Sequence, residues 1–233
     1  MSSEILSILC SLPALLIALT VHEFSHGLAA YKLGDPTPKN AGRLTLNPIK
    51  HFDLFGAIAM LIFKIGWAKP VPVNVRYFRN PKKGMALTAL AGPTSNFILG
   101  LIGVFLFAIT RSHLRVYEAN NMIYYYEAWE LAVYLVLQSF YVLNLSLAVF
   151  NLLPIPPLDG SRIFLSFLPD RYYFGLMRYE RTIMFGFFLY LIVCRYLNEL
   201  FSINLNVISL LLNFVINWIE SGMFFLVELL PFV

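Results

Sequence analysis

Charge is what this sequence has least of. Only 13% of its 233 residues are Asp, Glu, Lys or Arg, while 59% are hydrophobic; a soluble domain carries about a quarter charged. The shortage excludes an ordinary water-soluble fold and implies a polytopic membrane protein. Cysteine is scarcer still. Cys10 and Cys194 both lie in apolar runs, so they are read as small buried side chains and not as a disulfide or metal pair. The opening Met1-Ser2-Ser3-Glu4 has no basic region, and no small-residue cleavage site follows; the first apolar run is therefore read as a retained span and not a signal peptide.

What is there is a set of long apolar runs. Spans can be drawn at about 5–31, 84–110, 129–153, 181–200 and 205–230, each close to the roughly 20 residues a bilayer requires. The expected fold class is all-α and polytopic, one membrane-embedded unit over 1–233 with five to six transmembrane helices. Its core would be residues 5–165, with accessory helices at 180–233. The net charge of +4 does not point to nucleic acid, because the basic residues follow a topology. Ten Lys/Arg lie between Lys32 and Lys83, and Arg162, Arg171 and Arg178 lie in 154–180. Placing both loops in the cytoplasm satisfies the positive-inside rule and leaves the N-terminus outside. Tyr117 to Trp129, rich in tyrosine, then fits an aromatic belt on the outer side.

Inside the first span stands His22-Glu23-Phe24-Ser25-His26. A helix stacks His22 and His26 on one face, four residues apart. That geometry lets two imidazoles hold one Zn²⁺, with Glu23 beside them as general base. Charged groups at membrane depth cost about 2.5–3.5 kcal/mol each on insertion scales, so they are retained for function. The pair falls late in the span, on the order of 6–12 Å from the midplane toward the cytoplasm at the helical rise.

The 32–83 loop carries further order. Gly42 to Leu46 and Val71 to Val75 look like short extended strands bounded by Gly, Pro and Asn. Leu54 to Trp67 is an apolar run too short to span, expected to be re-entrant or interfacial. Pro70 and Pro72 suit an edge strand, at which Val71 and Val73 could pair with an extended substrate by strand addition. A hairpin that merely covers the site fits equally well. In the second span Gly92, Asn96 and Gly100 recur every four residues and line one face, where glycines permit close helix contact. Asn96 there reads as interhelical glue or as a site residue.

The third span ends in Asn151-Leu152-Leu153-Pro154-Ile155-Pro156-Pro157-Leu158-Asp159-Gly160. Three prolines in four positions cannot continue a helix, and broken backbone at this depth is tolerated where it lines a cavity. The topology brings Asp159 to the same side as His22 and His26. His₂Asp completes the three protein ligands of a catalytic zinc site, leaving one position for water.

The His22-Glu23-Phe24-Ser25-His26 helix, the Gly92-Pro93-Thr94-Ser95-Asn96 stretch and the Asn151-to-Gly160 motif, in this order, resemble the site-2 protease family of intramembrane zinc metalloproteases. Gly66-Trp67-Ala68-Lys69-Pro70-Val71-Pro72-Val73 is similar to a loop of its bacterial members, and the likeness covers about residues 20–165. It implies one zinc per chain on His22, His26 and Asp159, with Glu23 activating the zinc-bound water. It also implies Asn151 as the asparagine that stabilises the oxyanion or positions the scissile peptide, and Asn96 as one lining the site beside substrate. The implied substrate is a membrane-spanning protein, cut in or near its span in a bacterial plasma membrane, with the site toward the cytoplasm. This chain departs from the family in having no room for the PDZ or CBS domains of many members, which leaves open how substrate is selected or gated, a regulatory membrane partner being one expectation. Two other readings share these residues: a metal-ion or proton transporter, which would use Glu23 as a ligand, and a non-catalytic relative that binds membrane segments.

Overall fold

The computed structural model describes residues 3–63, 66–119, 122–201 and 206–228. Its frame is four long helices: α1 (Ser3–Lys32), α5 (Pro81–Arg111), α6 (Ala128–Asn151) and α10 (Val207–Glu228). At the helical rise they are about 33–47 Å long, enough to cross a hydrocarbon core of about 30 Å. Among the described residues these are the four helices long and apolar enough to span a membrane. The expected span at 181–200 does form a helix, α9 (Glu180–Phe201), but it carries Arg181 and Arg195 and falls outside that set.

The burial pattern is that of a lipid-facing bundle. Along α1 the large side chains Ile8, Leu9, Leu12, Leu16 and Ile17 are exposed, whereas Ala14, Ala18, Thr20 and His22 are buried. Small and polar groups face the protein and large apolar ones face outward, the reverse of a water-soluble helix. The centre is α1, α5 and α6 packed together. Gly100 and Gly103 make the α5–α6 approach close: a β-carbon at Gly100 would meet Leu145 Cδ2 at 2.5 Å, and one at Gly103 would meet Phe140 Cδ1 at 2.8 Å. Phe107 stacks between Tyr134 and Tyr141, both at 5.1 Å between ring centres. Helix α10 joins this core through Ile216 and through Tyr141 Oη, which donates to Glu220 Oε1 at 3.0 Å.

The connection from α1 to α5 differs from the expectation of strands. It contains α2 (Thr37–Asn40), α3 (Pro48–His51), α4 (Leu54–Phe63) and a 3₁₀ turn at Val75–Tyr77, and no strand among its described residues. Residues 42–46 are turn and irregular chain, and residues 66–74 run without a ladder. The reason is that the extended piece finds its partners in side chains, as the site shows below. The apolar run at 54–67 is realised as the ten-residue α4, about 15 Å long and too short to span. Among the described residues the strands lie instead in the loop after α5: β1 (Val116–Ala119) pairs antiparallel with β2 (Met122–Tyr125), Val116 opposite Tyr125.

Beyond α6 the chain does unwind, over 152–158, and restarts as α7 (Asp159–Leu165) and α8 (Asp170–Arg178) before α9. Arg162 of α7 ties this end together. Its guanidinium donates to Glu180 Oε1 and Oε2 at 2.6 and 2.7 Å.

Candidate metal centre

The helix of α1 sets His22 and His26 on one face, and their Nε2 atoms meet at 3.0 Å. The unwound stretch after α6 brings Asp159 to both: its Oδ2 lies 3.1 Å from His22 Nε2 and 3.2 Å from His26 Nε2. Glycine at 160 is required for this placement, because a β-carbon there would collide with the carbonyls of Leu152 and Leu153. Residues 137 apart in the chain thus place three ligand atoms at one point.

The outer hydrogen bonds fix what those atoms can do. His26 Nδ1 lies 2.7 Å from the carbonyl of Thr88, which can only accept, so Nδ1 carries the proton. Asn96 Nδ2 donates to Ala18 O at 3.1 Å and to Asn144 Oδ1 at 2.9 Å. Its Oδ1 is therefore the acceptor facing His22 Nδ1 at 2.6 Å, and that Nδ1 is also protonated. Both neutral rings then turn bare Nε2 lone pairs toward a buried Asp159 Oδ2 that finds no hydrogen-bond donor. Three acceptors cannot sit this close around nothing. A single proton would make one ring an imidazolium and leave the other Nε2 lone pair still facing the carboxylate. A metal ion satisfies all three atoms together. With bonds of about 2.0–2.1 Å a tetrahedral zinc site has ligand-to-ligand edges of about 3.3–3.4 Å, close to the separations seen here. The residues fit zinc.

Glycine 92 keeps the space open. A β-carbon on it would meet His26 Cε1 and Nε2 at 2.5 Å and His22 Cε1 at 2.7 Å. The Gly92, Asn96 and Gly100 face expected from the sequence is buried, with glycine admitting the imidazoles, asparagine orienting one of them and the second glycine admitting α6.

Beside the three ligand atoms lies a cavity of about 280 Å³, lined among others by Glu23, Val71, Val73, Asn151 and Arg162. Glu23 Oε2 accepts from the Val71 amide at 2.9 Å. Asn151 stands on the wall, but its Nδ2 donates back to Leu147 O at 3.0 Å. Asn96, expected to line the site beside substrate, stands instead behind His22, fully buried. Sequence reasoning missed Thr88, which acts through a backbone carbonyl and leaves no side-chain signal. It also missed Asn144, an intramembrane asparagine one helix further out, and the buried Asp35, which accepts from the Asn74 amide. His51 is buried, and its Nε2 donates to Thr45 O at 2.8 Å.

Residues 11–193 match the sequence model of Peptidase family M50. The chain is 42% identical over 158 residues to YwhC of Bacillus subtilis, named as a candidate zinc metalloprotease, with 66% of this chain and 67% of that relative covered. It is 31% identical over 150 residues to Rip2 of Mycolicibacterium smegmatis, named in the same way. The figure is also 31%, over 151 residues, for Rip2 of Mycobacterium tuberculosis. The matched region is 62% of this chain and 52% of either Rip2, so it spans about half the length of those relatives. No solved structure matches the chain significantly.

Proposed function

The chain belongs to peptidase family M50, and from that premise we propose that it is an intramembrane zinc metalloendopeptidase cutting a peptide bond in or near the span of a membrane-anchored protein. The observation that carries this reading is the convergence of His22 Nε2, His26 Nε2 and Asp159 Oδ2 within 3.0–3.2 Å of one another, with Glu23 beside them on a cavity wall. One zinc per chain would be held by these three side chains. Zinc in such a site supplies a Lewis acid and a water that ionises near neutral pH.

The chain's own residues do the rest. Glu23, held by the Val71 amide, takes a proton from the attacking water and passes it to the leaving amide nitrogen. Asn151 reaches the scissile carbonyl by releasing Leu147 O. The substrate helix must first unwind, since a helix hides its carbonyl carbons behind side chains. The extended piece at Val71 and Val73 receives the unwound segment: Pro70 and Pro72 have no N–H, Val71 N is engaged by Glu23, and the Val73 amide is left for an incoming strand. The basic loops at 32–83 and 154–180 support a site toward the cytoplasm by the positive-inside rule, and we read the membrane as a bacterial plasma membrane.

Metal content and cleavage of purified protein test the reading together. Glu23→Gln keeps zinc at the wild-type level and loses cleavage of a membrane-helix reporter, while His26→Ala loses both. Zinc lost in Glu23→Gln would make Glu23 a ligand and favour an ion pathway. Cleavage retained in it would sink the mechanism.

A further inference from the structure

Asp35 is fully buried, three residues past the basic end of α1 at Lys32 and outside the cavity. A buried carboxylate persists only when its oxygens are supplied with donors. Asp35 Oδ1 accepts from Thr37 N at 2.9 Å and from Thr37 Oγ1 at 2.5 Å. The first of these closes an Asx-type turn that starts the next helix. Its other oxygen does something a turn does not need. Oδ2 accepts from the Asn74 amide at 2.7 Å, across 39 residues of chain.

Asn74 ends the extended piece that begins at Lys69. Three residues before it, the Val71 amide donates to Glu23 Oε2 at 2.9 Å. At the start, Lys69 N donates to His51 O at 2.9 Å, and the buried Arg43 donates to Lys69 O. So Lys69 to Asn74 is a strap fastened at both ends, and its middle amide holds Glu23. Side chains back this: a β-carbon at Gly27 would meet Val71 Cγ1 at 3.3 Å, so α1 lies directly beneath. The two prolines stiffen the strap between its fastenings by fixing φ, which lets a fixed end set the position of the middle.

We propose that Asp35 is a positioning residue for catalysis: its bond to Asn74 clasps the strap so that the Val71 amide orients the Glu23 carboxylate toward the metal centre. Asp35 touches neither substrate nor metal. The proposal rests on the reading of Glu23 as general base, but the clasp itself is tested without activity.

The experiment is to label the metal-loaded protein with ¹⁵N-valine and follow the Val71 amide by its shift and its hydrogen exchange. Glu23→Ala assigns the signal, because it removes the acceptor. In Asp35→Ala the Val71 amide is expected to move the same way and to exchange at least 10-fold faster, with zinc content unchanged. Cleavage of a quenched-fluorescent single-span peptide should fall about 10- to 100-fold, since small misplacements of a catalytic group cost rate on that order. Should Asp35→Ala fail to fold, Asn74→Pro, which removes the donating N–H of the same bond, is read by the same signal. A Val71 amide that stays put and protected in either variant overturns the clasp. A wild-type protein that holds zinc and cleaves nothing would strike the protease reading, and the amide signal would still decide the clasp.

Discussion

His22 and Asn96 are joined by a bond of 2.6 Å between Nδ1 and Oδ1, and Asn96 is in turn held by Asn144 at 2.9 Å. One helix carries the ligand, a second fixes its tautomer, and a third fixes the asparagine. Outer partners of this kind orient metal-binding histidines, and losing one costs about 10- to 100-fold in metal affinity. Asn96→Ala is expected to weaken zinc binding by that much while leaving one zinc bound at saturating metal. A competition titration against a chelator of known affinity measures it. Unchanged affinity would show that His22 keeps its orientation without this bond.

Glycine 92 makes a sharper test, because the fault is steric. The added carbon of Gly92→Ala would sit 2.5 Å from His26 Nε2, well inside van der Waals contact, so the ring must turn away. The expected result is zinc loss in a protein that still inserts and folds. Gly186→Ala serves as the control, since nothing lies within 4 Å of its added carbon. Metal analysis of the two variants side by side decides it.

Much of this candidate centre was legible in the chain because its proposed ligands come from patterns with a geometric meaning. The spacing of His22 and His26 fixes a helix face, and the prolines before Asp159 fix a break. The outer shell was less legible. Thr88 contributes a main-chain carbonyl, which any residue type possesses, and Asp35 looks like an ordinary turn residue until its second oxygen is traced to Asn74. The strands expected at 42–46 and 71–75 did not form for a related reason. Composition reports that a segment is extended, but not whether its amides meet another strand or, as with Val71 and Asn74, carboxylates. The β1–β2 pair was overlooked because its tyrosines had a sufficient explanation as an interfacial belt.

The cluster of three acceptors also predicts how metal should couple to stability. An ion that binds the folded chain stabilises it by an amount that grows with affinity, about 4 kcal/mol at a thousandfold excess over Kd. Chelation is therefore expected to lower the thermal midpoint of the wild type. In Asp159→Ala the third ligand is gone and so is the acceptor facing both imidazoles, so chelation should scarcely move its midpoint. Thermal unfolding in detergent, with and without chelator, makes the comparison. Equal shifts in both proteins would place the stabilising metal elsewhere.

Glu220 of α10 is packed inward, its Oε1 accepting from Tyr141 Oη at 3.0 Å. Tyr141 is buried in the α6 core against Phe107, so this single bond joins a polar group of α10 to the centre of the bundle. The other contacts of α10 with this core are apolar, through Ile216, Ile219, Met223 and Phe224. Tyr141→Phe keeps the ring and removes the donor, leaving a carboxyl group within the bundle without its partner. Such a loss costs about 1–3 kcal/mol, and it should fall on the attachment of α10 while zinc content stays at the wild-type level. Faster proteolysis or hydrogen exchange confined to α10 would display it. Zinc lost together with α10 would instead mean that this outer helix supports the metal centre, reaching it through α6 by way of Asn144 and Asn96.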